Sequence, residues 1–230
     1  MANTKKNTES TVITIKPLKK VQTEISIVGD TPLIVHAWSE KAKKEMLAAQ
    51  QKNKPEKKAM AIRDPFAEFM NALYWLTPKP KEDTEEAFIE AVKNGAKFGF
   101  PTIAIKQAAL SAAYRAGIIA NQTGMKSVFF LNGVESGTNG DVELAVIDTP
   151  EPPRCQESMV KIGGMSKVAD LRYRPVFDNW KIRLKVTLID VGTFSLESVI
   201  NAIEMGGQMN GIGEWRMERD GDFGRFHVEI

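Results

Sequence analysis

The chain has 230 residues, 43% of them apolar, and a formal net charge of +2. That length allows one large domain or two small ones, and the apolar share is that of a globular protein rather than a disordered one. A single cysteine, Cys155, excludes an intrachain disulfide, two distant histidines, His36 and His227, are too few for a structural zinc site, and no apolar run approaches the roughly 20 residues that cross a bilayer.

Residues 1–20 are polar and lysine-bearing, and they lack the apolar core of a signal peptide. They read as a flexible basic tail on a cytoplasmic protein, with the folded domain over 21–230. Ile25 and Ile27 alternate with Glu24 and Ser26, which predicts a first strand, extended by Leu33-Ile34-Val35 beyond a bulge at Gly29-Asp30-Thr31-Pro32. Residues 38–98 then read as a helical insertion. One helix is expected over 39–51, capped by Ser39. A second starts at Asp64-Pro65, carries the stripe Phe66, Phe69, Met70, Leu73, Leu76, and ends at Pro78. A third runs from about Thr84 to Lys93, closed by Asn94-Gly95.

After Phe100-Pro101, an alanine-rich helix is expected from Ile103 to Ala116, then strands over 127–131 and 142–147 joined by a turn, then a loop holding Pro150, Pro152 and Pro153. Alternation is clearest over 169–189, where Asp178-Asn179 reads as a two-residue turn. Ser195 caps a last helix ended by Gly206-Gly207, and a glycine-rich loop from Gly211 to Gly224 leads to a closing strand, 225–230. Without the insertion the order is strand, helix, strands, helix, strand. The expected fold class is therefore α+β, a ferredoxin-like or RNA-recognition-like βαββαβ sheet with a helical insertion after the first strand.

Two features point to a polyanion. With a turn at Asp178-Asn179, Phe177 faces Trp180, Arg174 faces Arg183, and Arg172 faces Lys185. Opposed like charges are destabilising unless an anion lies across them. The alternative is a solvated sheet face, and a one-residue slip of register removes the pairs. The second feature is the loop. Gly211 and Gly213 let a backbone approach a ligand, Trp215 offers a stacking surface, and Arg216, Arg219 and Arg225 offer charge. The alternative is a long structural turn with Trp215 in the core. The loop follows a helix and precedes a strand, the reverse of a dinucleotide-binding loop.

Gly211-Ile212-Gly213 through Gly224-Arg225-Phe226 resembles the glycine-rich loop of the RAMP superfamily of CRISPR proteins. Phe100-Pro101-Thr102-Ile103-Ala104-Ile105-Lys106-Gln107, with Arg115 beyond, is similar to the motif that opens that family's first helix, although Ile103 and Ala104 replace its serines and Gln107 its glycine. Asp30-Thr31-Pro32-Leu33 resembles the end of the family's first strand, with His36 in place of a glycine. The closest likeness is to the backbone subunits that coat guide RNA, which also carry an insertion after the first strand, and the divergence suggests a phage or mobile-element relative.

The resemblance implies a non-catalytic binder of single-stranded nucleic acid, RNA rather than DNA, that forms a homo-oligomer or filament along its ligand, in a larger ribonucleoprotein. No metal, cofactor or membrane is implied. The expected contacts are Lys106, Arg115, Arg172, Arg174, Arg183, Lys185, Gly211, Gly213, Trp215, Arg216 and Arg225. Two other classes stay open. One is a metal-independent ribonuclease using His36 as general acid or base, and the other is a phage-encoded interaction module that occupies a host complex.

Overall fold

The computed structural model describes residues 17–38, 46–48, 50–51, 63–140, 142–162 and 168–230. The expected tail lies almost wholly outside them, as does most of the helix expected over 39–51, of which 46–48 and 50 are helical.

The fold is α+β, with antiparallel pairing throughout its two sheets. The larger sheet is built around β1 (Lys19–Gly29) and β9 (Lys181–Asp190), paired from Lys19↔Asp190 to Val28↔Lys181. The closing strand β10 (Phe226–Glu229) adds to the free side of β1. On the far side of β9, β4 (Phe129–Gly133) takes one half of the edge and β6 (Val142–Asp148) the other. β3 (Gly99–Pro101) and β5 (Ser136–Asn139) pair with β6. Alternation decides which face is covered. Ile25, Ile27, Ile182, Leu184, Val186 and Leu188 are buried in one core with Ile105, Ala109, Val199 and Ile203 from the helices α3 (Thr102–Arg115) and α5 (Leu196–Met205).

α3 and α5 begin near the expected residues, and Ser195 Oγ accepts from Ser198 N at 3.0 Å as the cap of α5. In the insertion, α1 (Pro65–Ala72) is capped by Asp64, which accepts from the amides of Phe66 and Ala67 at 3.0 Å. α1 stops at Ala72, well before Pro78, and the chain turns extended so that Trp75 bridges to Phe98. α2 (Glu85–Lys93) is capped by Thr84. Phe69, Phe88, Trp75, Phe98 and Phe177 form a chain of rings 5.0–6.3 Å apart that ties the insertion to the body.

The second sheet corrects the sequence reading. β8 (Val168–Phe177) pairs with β7 (Arg154–Ile162) and with the short β2 (Leu33–Ile34), not with β9. Asp178-Asn179 is a corner at which the chain leaves one sheet for the other. Phe177 lies opposite Leu33, while Trp180 lies against Gly29 and donates through Nε1 to the Thr31 carbonyl at 2.8 Å. Arg172 and Arg174 therefore face Ser158 and Gln156, and Arg183 and Lys185 face Ser26 and Glu24. The expected opposition of Arg174 to Arg183 and of Arg172 to Lys185 does not exist. β2 likewise leaves the first strand's sheet rather than extending it. The loop holding Pro150, Pro152 and Pro153 is as expected, but β7 follows it as an unexpected strand, and α4 (Gln122–Val128) precedes β4 as an unexpected short helix.

α5 ends at Met205 with Gly206 as its C-cap, as expected, but the two glycines do not stop the winding. The helix continues as a π-helical turn, Gly206–Asn210. Both glycines are sites of close packing: a Cβ on Gly206 would stand 2.7 Å from the Ala109 amide nitrogen, and one on Gly207 2.2 Å from the Phe226 carbonyl oxygen. Gly207→Ala is therefore expected to lower stability by about 1–3 kcal/mol, as overpacking does. Gly124 lies inside α4, where an added Cβ would meet nothing within 4 Å. It is the control: Gly124→Ala is expected to gain about 0.5–1 kcal/mol. Urea denaturation of the two variants checks both signs.

Candidate nucleic-acid interface

The glycine-rich loop is shaped by its contact with the chain that follows β1. Glu214 N donates to the Ile34 carbonyl at 3.0 Å, and Gly224 N to the Pro32 carbonyl at 2.8 Å. Gly213 has φ +81, and a Cβ there would stand 2.3 Å from the Ile34 oxygen, so only glycine fits. Asn210, almost wholly buried, donates through Nδ2 to the Ala108 carbonyl at 2.9 Å and fastens the loop's start to α3.

Between this loop and α3 lies a cavity of about 450 Å³. Phe100, Pro101, Ala104, Ala108 and Ile212 give it apolar walls, with Gln107, Ser111 and Gln122 as neutral polar groups. His36, Glu214, Arg216 and Glu218 supply the ionisable groups. His36 is held by Tyr74, whose hydroxyl donates to the His36 carbonyl at 3.1 Å.

Glu214 binds two partners. His36 Nδ1 lies 2.6 Å from Oε1, and Arg174 Nε donates to Oε2 at 3.2 Å. Burial pushes the Glu214 carboxyl up, but His36 and Arg174 together outweigh it and hold the group below the ordinary 4.5. An ionised carboxylate only accepts, so His36 Nδ1 carries the proton of this bond. Glu218 is also held low: burial raises it, and the bonds to Arg216 and the nearby Arg115 outweigh burial. Arg115 Nη2 and Arg216 Nη2 donate to Glu218 at 2.7 and 2.8 Å, and Arg216 Nη1 donates to the Gly213 carbonyl at 3.1 Å.

Of the expected contacts, Gly211, Gly213 and Arg216 line this cavity, Arg115 and Arg174 bond to its two carboxylates, and Trp215 lies between Glu214 and Arg216 in the chain. Arg172 lies beside them on the Arg174 face of β8, 3.8 Å from Asp170. The others lie elsewhere. Lys106 is buried, with Nζ donating to the carbonyls of Lys126 and Phe129 at 2.8 and 2.6 Å and lying over the Phe129 and Phe130 rings. Burial, helped by Lys126, lowers its pKa. Its role is to hold α3 on β4. Arg183 is paired with Glu135 and Asp148 on the uncovered face of the large sheet, and Lys185 stands opposite Glu24 and Asn132 there. Arg225 donates to Gln208 at 3.2 Å, beside the Asp30–His227 pair at 2.6 Å.

The expectation that the loop's extra glycines await a ligand backbone is corrected as well. A Cβ on Gly221 or Gly224 would stand 1.8 Å from the carbonyl oxygens of Trp215 and Ile212, so the fold itself uses these positions. Trp215 differs. It is 44% exposed, outside the core, and has φ +53, in the left-handed region that non-glycine residues avoid. No local pattern marks Glu214 as the anchor of His36, because the partners are 178 residues apart.

The low Glu214 pKa carries a signed prediction. A carboxyl whose folded pKa lies below its unfolded value contributes stability that is present above the unfolded value and lost as pH falls through the folded one. Melts in steps below pH 4.5 should therefore show a steeper loss for the wild type than for Glu214→Gln, whose melting temperature starts lower and changes less.

Among the described residues no cluster of three or more His, Cys, Asp or Glu side chains is placed to hold a metal. No family model matches this chain, and no curated protein matches it.

Proposed function

We propose that this protein binds single-stranded nucleic acid, RNA in preference to DNA, without cleaving it, and that copies assemble along the strand. The observation that carries the reading is Trp215. A bulky residue in left-handed backbone stores strain of about 1–3 kcal/mol, and such residues concentrate where a ligand is clamped. Here the strained residue presents an indole to solvent, flanked in sequence by Glu214 and Arg216, which line the cavity. An exposed aromatic beside a cleft suits stacking on an unpaired base. The sheet order β10-β1-β9 followed by β4 and β6, with α3 and α5 on one face, supports a ferredoxin-like reading of the fold.

One observation favours a ribonuclease instead. The histidine in the cavity is oriented by a carboxylate, which is how a general acid or base is positioned. Labelled RNA incubated with the protein in chelator separates the two readings: defined cuts that vanish in His36→Ala mean cleavage, and intact RNA in a shifted complex means binding.

Trp215 supplies the sharper test. Trp215→Ala should lose about 1–3 kcal/mol of affinity for a single strand. Trp215→Gly should lose the same affinity while its melting temperature holds or rises, because glycine relieves the backbone strain. Unchanged affinity in both variants rejects the proposal. Complexes that grow stepwise with strand length, read by sedimentation, test the assembly.

A further inference from the structure

We infer that the cavity between the glycine-rich loop and α3 is a subsite for one neutral nucleobase, read through the amides of Gln107 and Gln122 and the hydroxyl of Ser111. This rests on the proposed nucleic-acid binding for the strand but not for the base itself. The cavity's volume, about 450 Å³, falls within the range of about 300–1,000 Å³ that small-ligand sites occupy.

Charge decides which part of a nucleotide enters. Glu214 and Glu218 both line the cavity and are both held ionised. The guanidinium of Arg216 is taken up by Glu218 and the Gly213 carbonyl. A phosphate would meet two carboxylates, one already paired cation and a histidine whose Nδ1 is already given to Glu214. A neutral planar ring meets no such penalty, and Phe100, Pro101, Ala104 and Ile212 offer it apolar surface.

Hydrogen bonding points the same way. Gln107, Ser111 and Gln122 are half-buried, and none of their side chains bonds to another described residue. A Gln amide and a Ser hydroxyl each donate and accept, as does the edge of a base. The carboxylates cannot do this reading, because an ionised carboxylate offers no donor, and each oxygen of Glu214 and of Glu218 already accepts from His36, Arg174, Arg115 or Arg216. The base comes either from a bound strand or from a free nucleoside or nucleotide.

The test uses the full chain with labelled homopolymers of A, C and U, an abasic chain of equal length, and free nucleosides and nucleoside monophosphates. One homopolymer is expected to bind best. Gln107→Leu should weaken that one about 3–10-fold, the loss of one or two hydrogen bonds, and so level the homopolymers while leaving the abasic chain unchanged. Trp215→Ala, by contrast, should weaken all homopolymers alike. The inference is overturned if the wild type binds every homopolymer equally, or if Gln107→Leu weakens homopolymers and abasic chain by one factor, with binding to strands still standing. Nucleosides bound with no affinity for any strand would keep the base subsite and reject the strand reading. Binding of neither rejects both. Ala104→Leu, which fills the cavity from another wall, should reproduce the Gln107→Leu pattern, so that misfolding of one variant does not decide the outcome.

Discussion

The arrangement depends on one backbone-to-backbone contact, the glycine-rich loop lying on the chain after β1. Gly213 sits on the Ile34 carbonyl, Glu214 N and Gly224 N donate to Ile34 and Pro32, and Asp30 N donates to Arg225 O at 2.8 Å. These groups would otherwise be unsatisfied polar atoms close to the core. The contact also fixes position. It places Glu214 where His36 and Arg174 meet it, so that the loop, the segment after β2 and β8 share one carboxylate. It fixes the floor of the cavity and leaves Trp215 outside with its backbone in the left-handed region.

How much of this is legible in the sequence differs between elements, for physical reasons. Local signals mark their elements well: the Asp64-Pro65 start of α1, the Ser195 cap of α5, the alanine-rich α3 and the position of the loop are all set within a few residues. Pairing partners are not marked in this way. β8 and β9 both alternate, and Asp178-Asn179 has turn chemistry, but alternation says which side chains share a face and nothing about which strand lies alongside. The four like charges that the hairpin would have opposed were evidence against that pairing. The real neighbours of Lys185 are Glu24 and Asn132, which a stable sheet prefers. β7 is hidden behind Pro152-Pro153, and among the described residues its one partner is β8.

The site is legible in part for the same reason. Residues in or next to the loop, Gly211 to Arg216, stand out because a glycine-rich run is a local pattern. Lys106 does not take its expected role because its motif position suggests an exposed helix start, whereas α3 is buried on both sides of it, between Ile105 and Ala108. A lysine placed there satisfies two carbonyls at the end of α4 and the start of β4. His36 and Glu214 come together only through the fold.

The charges then constrain what kind of recognition is possible. Arg115, Arg172, Arg174, Arg183 and Arg216 each have a carboxylate within 4 Å. A phosphate backbone would have to displace these partners, and each displaced carboxylate would be left near the incoming anion. For exposed pairs the exchange is close to neutral, since such ion pairs are worth about 0–1 kcal/mol. For Arg174, whose side chain is 12% exposed, it is unfavourable, because the half-buried Glu214 would keep its charge and lose a partner. At these five arginines affinity drawn from counterion release would therefore be small, and the groups left for the proposed ligand are the indole of Trp215, the apolar walls of the cavity and the neutral amides of Gln107 and Gln122. Under the proposed binding, those are the groups suited to bases. On the proposed reading, five arginines already paired with carboxylates and a tryptophan held in left-handed backbone favour contact with unpaired rings over the phosphates that join them.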